Sequence, residues 1–159
     1  MPAADPTPPK KGLTNNPSPL YYSYVNDKPI AFQLIHAAHL IEERMEQALA
    51  TVNLSGAKFA ALSALVGAGE PLGMCDLAGA LTCVRSNVTQ LVDRLEADGL
   101  VRRVEDPKDR RAVRAEITDL GRERQAAGAK KAAAVHAELG TQLSGVNGDL
   151  LRQALASIQ

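Results

Sequence analysis

LTCVRSNVTQLVDRLEADGLVRRVEDPKDRRAVRAEITDLG, residues 81–121, is the stretch on which the fold turns. Val84, Val88, Leu91, Val92 and Leu95 recur at i, i+4, i+7, i+8 and i+11, the spacing of one buried stripe on a helix. The opposite face is led by Ser86 and Gln90 and flanked by Asn87, Arg94, Thr89 and Asp93. Gly99 stands where a C-terminal glycine ends a helix. Leu100–Val104 then alternates as a short strand, and Ala112–Ile117 reads as its return partner. Between them, Glu105 to Arg111 has turn chemistry: Pro107 fixes φ, and Asp106 and Asp109 favour local side-chain bonds.

The residue types on the outward face narrow what this unit meets. Short hydrogen-bonding side chains beside arginine are the types that read base edges and grip phosphates, whereas a merely solvated helix more often carries Glu/Lys pairs. Six basic residues (Arg102, Arg103, Lys108, Arg110, Arg111, Arg114) face three acidic ones (Glu105, Asp106, Asp109) across 102–114, in a chain whose net charge is zero. A helix of this kind fits the DNA major groove, and an arginine-tipped hairpin beside it reaches the minor groove. On this reading Ser86, Asn87, Thr89, Gln90 and Arg94 meet the major groove, while Arg85, Lys108 and Arg110 hold phosphates.

The run VTQLVDRLEADGLVRRVEDPKDRRAVRAEITDLG resembles the winged-helix signature of the MarR family of bacterial transcription regulators. LSALVGAGEPLGMCDLAGAL before it fits the two preceding helices, so the resemblance covers roughly residues 55–125. Its specificity rests on the D-x-L-x-x-x-G-L-V-x-R and D-P-x-D-R-R pieces standing together at the family's separation. The resemblance implies a mainly α fold with a small β-hairpin wing: a winged helix-turn-helix flanked by N- and C-terminal dimerisation helices. It also implies that Arg111 enters the minor groove, held by Asp109, and that a homodimer binds a pseudo-palindromic double-stranded DNA operator. A small effector, often an aromatic carboxylate or its CoA thioester, would lower DNA affinity, as expected of a releasable repressor. Two features depart from the family pattern. Val84 stands where a serine or threonine usually caps the recognition helix, leaving Thr82 or Ser86 to do so. No cysteine lies near the N-terminal helix, where peroxide-sensing members carry their thiol.

The remainder of the chain is read outward from this unit. Residues 1–20 hold six of the nine prolines and are expected to form an extended or disordered arm, a plain flexible tail in preference to one whose Lys10 and Lys11 touch DNA phosphates. Residues 21–54 form an N-terminal dimerisation segment with a helix from about Ile30 to Val52, its seam being Leu34, Ala38, Ile41, Met45, Ala48 and Val52. The DNA-binding region is 55–118, with Ser55 capping its first helix, a break at Gly67-Ala-Gly69, and a short helix around Asp76–Leu81. Residues 119–159 supply C-terminal dimerisation helices, one capped by Thr118 and one started by Ser144 or Asn147. The two flanking stripes are expected to be buried by pairing with a second copy.

Composition bounds the rest. No apolar run approaches the ~20 residues of a membrane span, and MPAADPTPPKKG has no hydrophobic segment for secretion. With two cysteines and no disulfide framework, a reduced, cytoplasmic location is expected. Tyr22, Tyr24, His39 and Arg44 are candidates for an effector site through ring stacking, hydrogen bonds and a carboxylate clamp. His36, His39 and Glu43 share one helical face, but no further Cys/His cluster completes a metal site, so no metal or cofactor is expected. Cys75 and Cys83 read as packed residues, with thiol oxidation as the redox-sensing alternative. No phosphate loop, nucleophile elbow or metal quartet points to an enzyme. A winged-helix adaptor that binds protein and not DNA is the other alternative.

Overall fold

The computed structural model describes residues 29–81, 85–107, 109 and 112–158. In chain order these form α1 (Ile30–Ala50), α2 (Gly56–Ala68), β1 (Leu72–Gly73), α3 (Met74–Ala80), α4 (Arg85–Ala97), β2 (Val101–Glu105), β3 (Val113–Ile117), α5 (Asp119–Gln142) and α6 (Gly148–Ala156). The chain divides into two units, residues 1–40 and 41–159, with α1 running from the first into the second.

Short polar side chains set where helices begin. The Ser55 side chain accepts from the Lys58 amide at 3.3 Å, Thr118 Oγ1 from the Gly121 amide at 3.0 Å, and Asn147 from the amides of Asp149 and Leu150 at 3.1 Å each. Each satisfies an amide that has no partner within its own helix. Gly69 and Gly99 close α2 and α4 at φ 70° and 72°, a left-handed backbone that residues with a Cβ rarely adopt. Gly67, expected at the break, lies inside α2, and Asn147 starts α6, settling the choice with Ser144.

The sheet adds an element the sequence did not reveal. β1 pairs antiparallel with β3, giving the order β1-β3-β2 in place of a bare two-stranded hairpin. Two residues beginning next to Pro71 carry no period, so only the pairing of Leu72 with Ala115 and Gly73 with Arg114 defines this strand. β2 and β3 run in register from Val101 opposite Ile117 to Glu105 opposite Val113.

One aliphatic core lies beneath these elements: Ala61, Leu62 and Leu65 of α2, Leu77 of α3, Val88, Val92 and Leu95 of α4, and Leu100, Val101, Ala115 and Ile117 from the sheet and its approach. Leu49, at the end of α1, and Leu54 complete it. α5 comes close enough that a Cβ on Gly128 would stand 2.8 Å from Phe59 Cδ2, and one on Gly121 only 2.1 Å from the Leu100 carbonyl oxygen. α6 has no buried residue, and Ile30, Phe32, Leu34 and Ile35 of α1 are exposed.

Candidate nucleic-acid interface

α4 presents two faces of opposite character. Val88, Val92 and Leu95 are fully buried and Leu91 is half-buried, whereas Asn87, Thr89, Gln90 and Arg94 are exposed. Burial of the stripe fixes the helix about its own axis, so the polar set faces outward whatever its side chains bind. Arg85 and Ser86 form the first turn of this helix. An open groove of about 290 Å³ runs along it, lined by Ala57, Leu81, Asn87, Gln90, Leu91 and Arg94 among others. Lys108, Arg110 and Arg111 lie outside the described residues, as do Thr82, Val84 and Cys83. At the neck of their loop the Asp106 amide donates to the Ala112 carbonyl at 3.0 Å, and the Ala112 amide donates to the Asp109 carbonyl at 2.8 Å.

The strands tell a different story from their charge count. Arg102 Nε donates to Glu116 Oε2 at 2.6 Å across the β2–β3 pair, and this bond, with the charge behind it, holds the Glu116 carboxyl below the usual carboxylate range. Arg103 forks to Asp93 and Glu96 on α4, and its backbone amide donates to Glu96 Oε1 at 3.2 Å. Its guanidinium pKa is raised first by the hydrogen bond to Asp93 and then by Glu96. Arg114 Nε donates to Asp106 Oδ2 at 2.6 Å and its Nη1 to the Pro71 carbonyl at 3.2 Å. Arg102, Arg103 and Arg114, the described ones among the six basic residues counted over 102–114, therefore all have carboxylate partners within the chain. Asp93, expected beside the groove-facing residues, is one of those partners. The spacing D-x-L-x-x-x-G-L-V-x-R contains both ends of the Asp93–Arg103 pair and was the available signal.

The other candidates separate. His39 Nδ1 is 2.9 Å from the Ile35 carbonyl oxygen, and Arg44 Nη1 donates to Gln142 Oε1 at 3.1 Å; Tyr22 and Tyr24 lie outside the described residues. His36 stacks on Phe32 with ring centroids 6.4 Å apart. Among the described residues no group of three or more His, Cys, Asp or Glu side chains is arranged to hold a metal ion, and no helix is long and apolar enough to cross a membrane. Cys75 is exposed, which corrects the expectation that it is packed. α3 turns Leu77 and Ala78 inward, and a residue two positions before Leu77 falls on the opposite side.

Helix, helix and strand-paired wing in this order define a winged helix-turn-helix. The MarR family model matches residues 56–113 of this chain. The uncharacterised HTH-type transcriptional regulator YkoM of Bacillus subtilis is 41% identical over 66 residues, which are 42% of this chain and 42% of that protein. The chain thus matches less than half the length of this curated relative. The transcriptional repressor CouR, solved on a 23-mer DNA duplex, is 31% identical with a TM-score of 0.70, over 82% of this chain and 92% of that one. CouR from Rhodococcus jostii RHA1 bound to p-coumaroyl-CoA gives 25% identity and a TM-score of 0.68, over 85% and 92%. The chain belongs to the MarR family, a family of transcription regulators and not of enzymes.

Proposed function

We propose that this MarR-family regulator works as a homodimer that binds a pseudo-palindromic DNA operator as a repressor and leaves it when a small aromatic acid or acyl-CoA binds. The observation that carries the DNA reading is α4, whose apolar stripe is sealed into the core while Asn87, Thr89, Gln90 and Arg94 stand exposed together. These residues, with Ser86, meet base edges in the major groove. Arg85, Lys108 and Arg110 hold phosphates, and Arg111, oriented by Asp109, enters the minor groove. The repressor CouR, seen on DNA and with p-coumaroyl-CoA, supports both halves of the reading. Two-fold pairing is supported by the apolar side chains left exposed on α6 and, separately, on the first part of α1. Tyr22, Tyr24, His39 and Arg44 are the effector candidates, and the regulator acts in the cytoplasm.

The test is fluorescence anisotropy on the DNA just upstream of this protein's own gene, against a scrambled duplex, at several salt concentrations. Tight, salt-sensitive, sequence-selective binding supports the regulator. No binding to either duplex at low salt would favour a protein-binding adaptor. Arg111→Ala is expected to weaken operator binding by about 1–3 kcal/mol and leave the dimer intact; unchanged affinity removes the wing from the mechanism.

A further inference from the structure

Arg114 stands three residues from the Asp109-Arg-Arg111 motif, on a strand of the wing, and by charge alone it belongs with the phosphate-gripping residues. Its surroundings say otherwise. We propose that Arg114 is a positioning residue of the DNA reader: it fastens the neck of the wing to the segment leading into α3 and does not itself meet DNA. The proposal rests on the DNA reading above.

The fork geometry carries it. On β3, Arg114 pairs with Gly73 of β1 on one side and Val104 of β2 on the other, so a glycine with no side chain stands beside it toward Pro71. One edge of the guanidinium reaches Asp106 at 2.6 Å and another the Pro71 carbonyl at 3.2 Å. These two partners belong to different parts of the reader: Asp106 opens the wing loop, and Pro71 immediately precedes β1 and α3. Asp106 also closes the neck of that loop through its own amide, which donates to Ala112. The side chains of Arg114 and Asp106 are only 23% and 14% exposed. The hydrogen bond to Asp106 leads in raising the guanidinium pKa, and the charges of Glu70 and Asp76 act in the same direction. A planar fork with two directed bonds fixes an angle as well as a distance, which a lysine ammonium would not do. The neck angle, in turn, sets the direction in which the wing leaves the sheet when α4 lies in its groove.

Three variants and two readouts test this. Operator binding by anisotropy across a salt series is measured for Arg114→Met, Arg114→Lys and Asp106→Asn beside the unaltered protein. Amide hydrogen exchange is followed at Asp106 and Ala112 in the absence of DNA. All three variants should lose roughly tenfold in operator affinity. Their salt dependence should match the unaltered protein's, and the Asp106 and Ala112 amides should exchange faster while those of β2 and α4 hold. Asp106→Asn discriminates most sharply, because it keeps the arginine and removes the charge that holds it. A phosphate-binding Arg114 would then hold DNA as tightly or more tightly, which overturns the proposal. So would a salt slope smaller by about one phosphate contact in Arg114→Met, or unchanged amide exchange. If the unaltered protein binds no duplex, the DNA reading fails separately, and the exchange comparison still decides whether Arg114 fastens the neck.

Discussion

Helices α4 and α6 are written in the same code, an apolar stripe against a polar face, yet their stripes end differently. Val88, Val92 and Leu95 of α4 are wholly buried by their own chain, while Leu150 of α6 is 65% exposed and Leu155 43%. Burying such a side chain is worth about 2 kcal/mol, so α4 is held by the fold and α6 gains much less from it. Amphipathic spacing predicts that a helix forms and which face is apolar; it does not say whose surface covers that face. The stripe satisfied within the chain positions the reader. The stripe left open is the one the proposed pairing would use.

That contrast can be broken most forcefully in the core. Leu95→Ala should destabilise the folded chain by about 3 kcal/mol in urea denaturation, since it empties a fully enclosed site. A cost below about 1 kcal/mol would mean that α4 is not anchored as described. Glycines sharpen the same comparison. Gly121→Ala drives a Cβ toward the Leu100 carbonyl and should cost about 2 kcal/mol or more. Gly140→Ala, later on the same α5, meets nothing within 4 Å and should stabilise by about 0.5–1 kcal/mol through helix propensity alone. Leu150→Lys on α6 should shift the stability of the reader by no more than about 0.5 kcal/mol while converting the proposed dimer to a monomer in sedimentation. A persisting dimer would remove α6 from the pairing.

The smallest effect is electrostatic. Glu116 has its carboxyl pKa lowered in the folded protein, so its contribution is present above the unfolded carboxylate pKa and is lost as pH falls through the folded one. The stability of Glu116→Gln should therefore decline less on acidification through and below the ordinary carboxylate range. The difference should shrink at ionic strengths high enough to screen the charges of the Arg102–Glu116 pair.

The parts of the fold that were legible are those set by local chemistry. Ser55 and Thr118 announced helix starts, Gly99 a helix end, and the Val88–Leu95 stripe the inward face of α4. The unread parts depend on residues distant in sequence. β1 exists because Leu72 and Gly73 find β3, some forty residues later. Arg124 donates to the Val52 carbonyl at 2.9 Å across 72 positions, a link no periodicity encodes. Charge summed along 102–114 treated Arg103 and Arg114 like their neighbours, because composition cannot show that one reaches Asp93 and Glu96 on α4 and the other Asp106. Gly121 and Gly128 read as weak helix residues, and only the packing shows them as places where α5 comes against Leu100 and Phe59. For the candidate interface, the exposed set on α4 followed from its periodicity, whereas the internal partners of the strand arginines did not.

Thr118 begins α5 while its hydroxyl donates to the Gly99 carbonyl at 2.8 Å and its amide to Leu100 at 3.1 Å, tying the start of the helix to the turn that ends α4. α5 then runs for 24 residues, about 36 Å at 1.5 Å per residue. Arg124, bonded to the Val52 carbonyl, and Gly128, set against Phe59, fasten the first half of that rod to the reader as well, so the two form one piece.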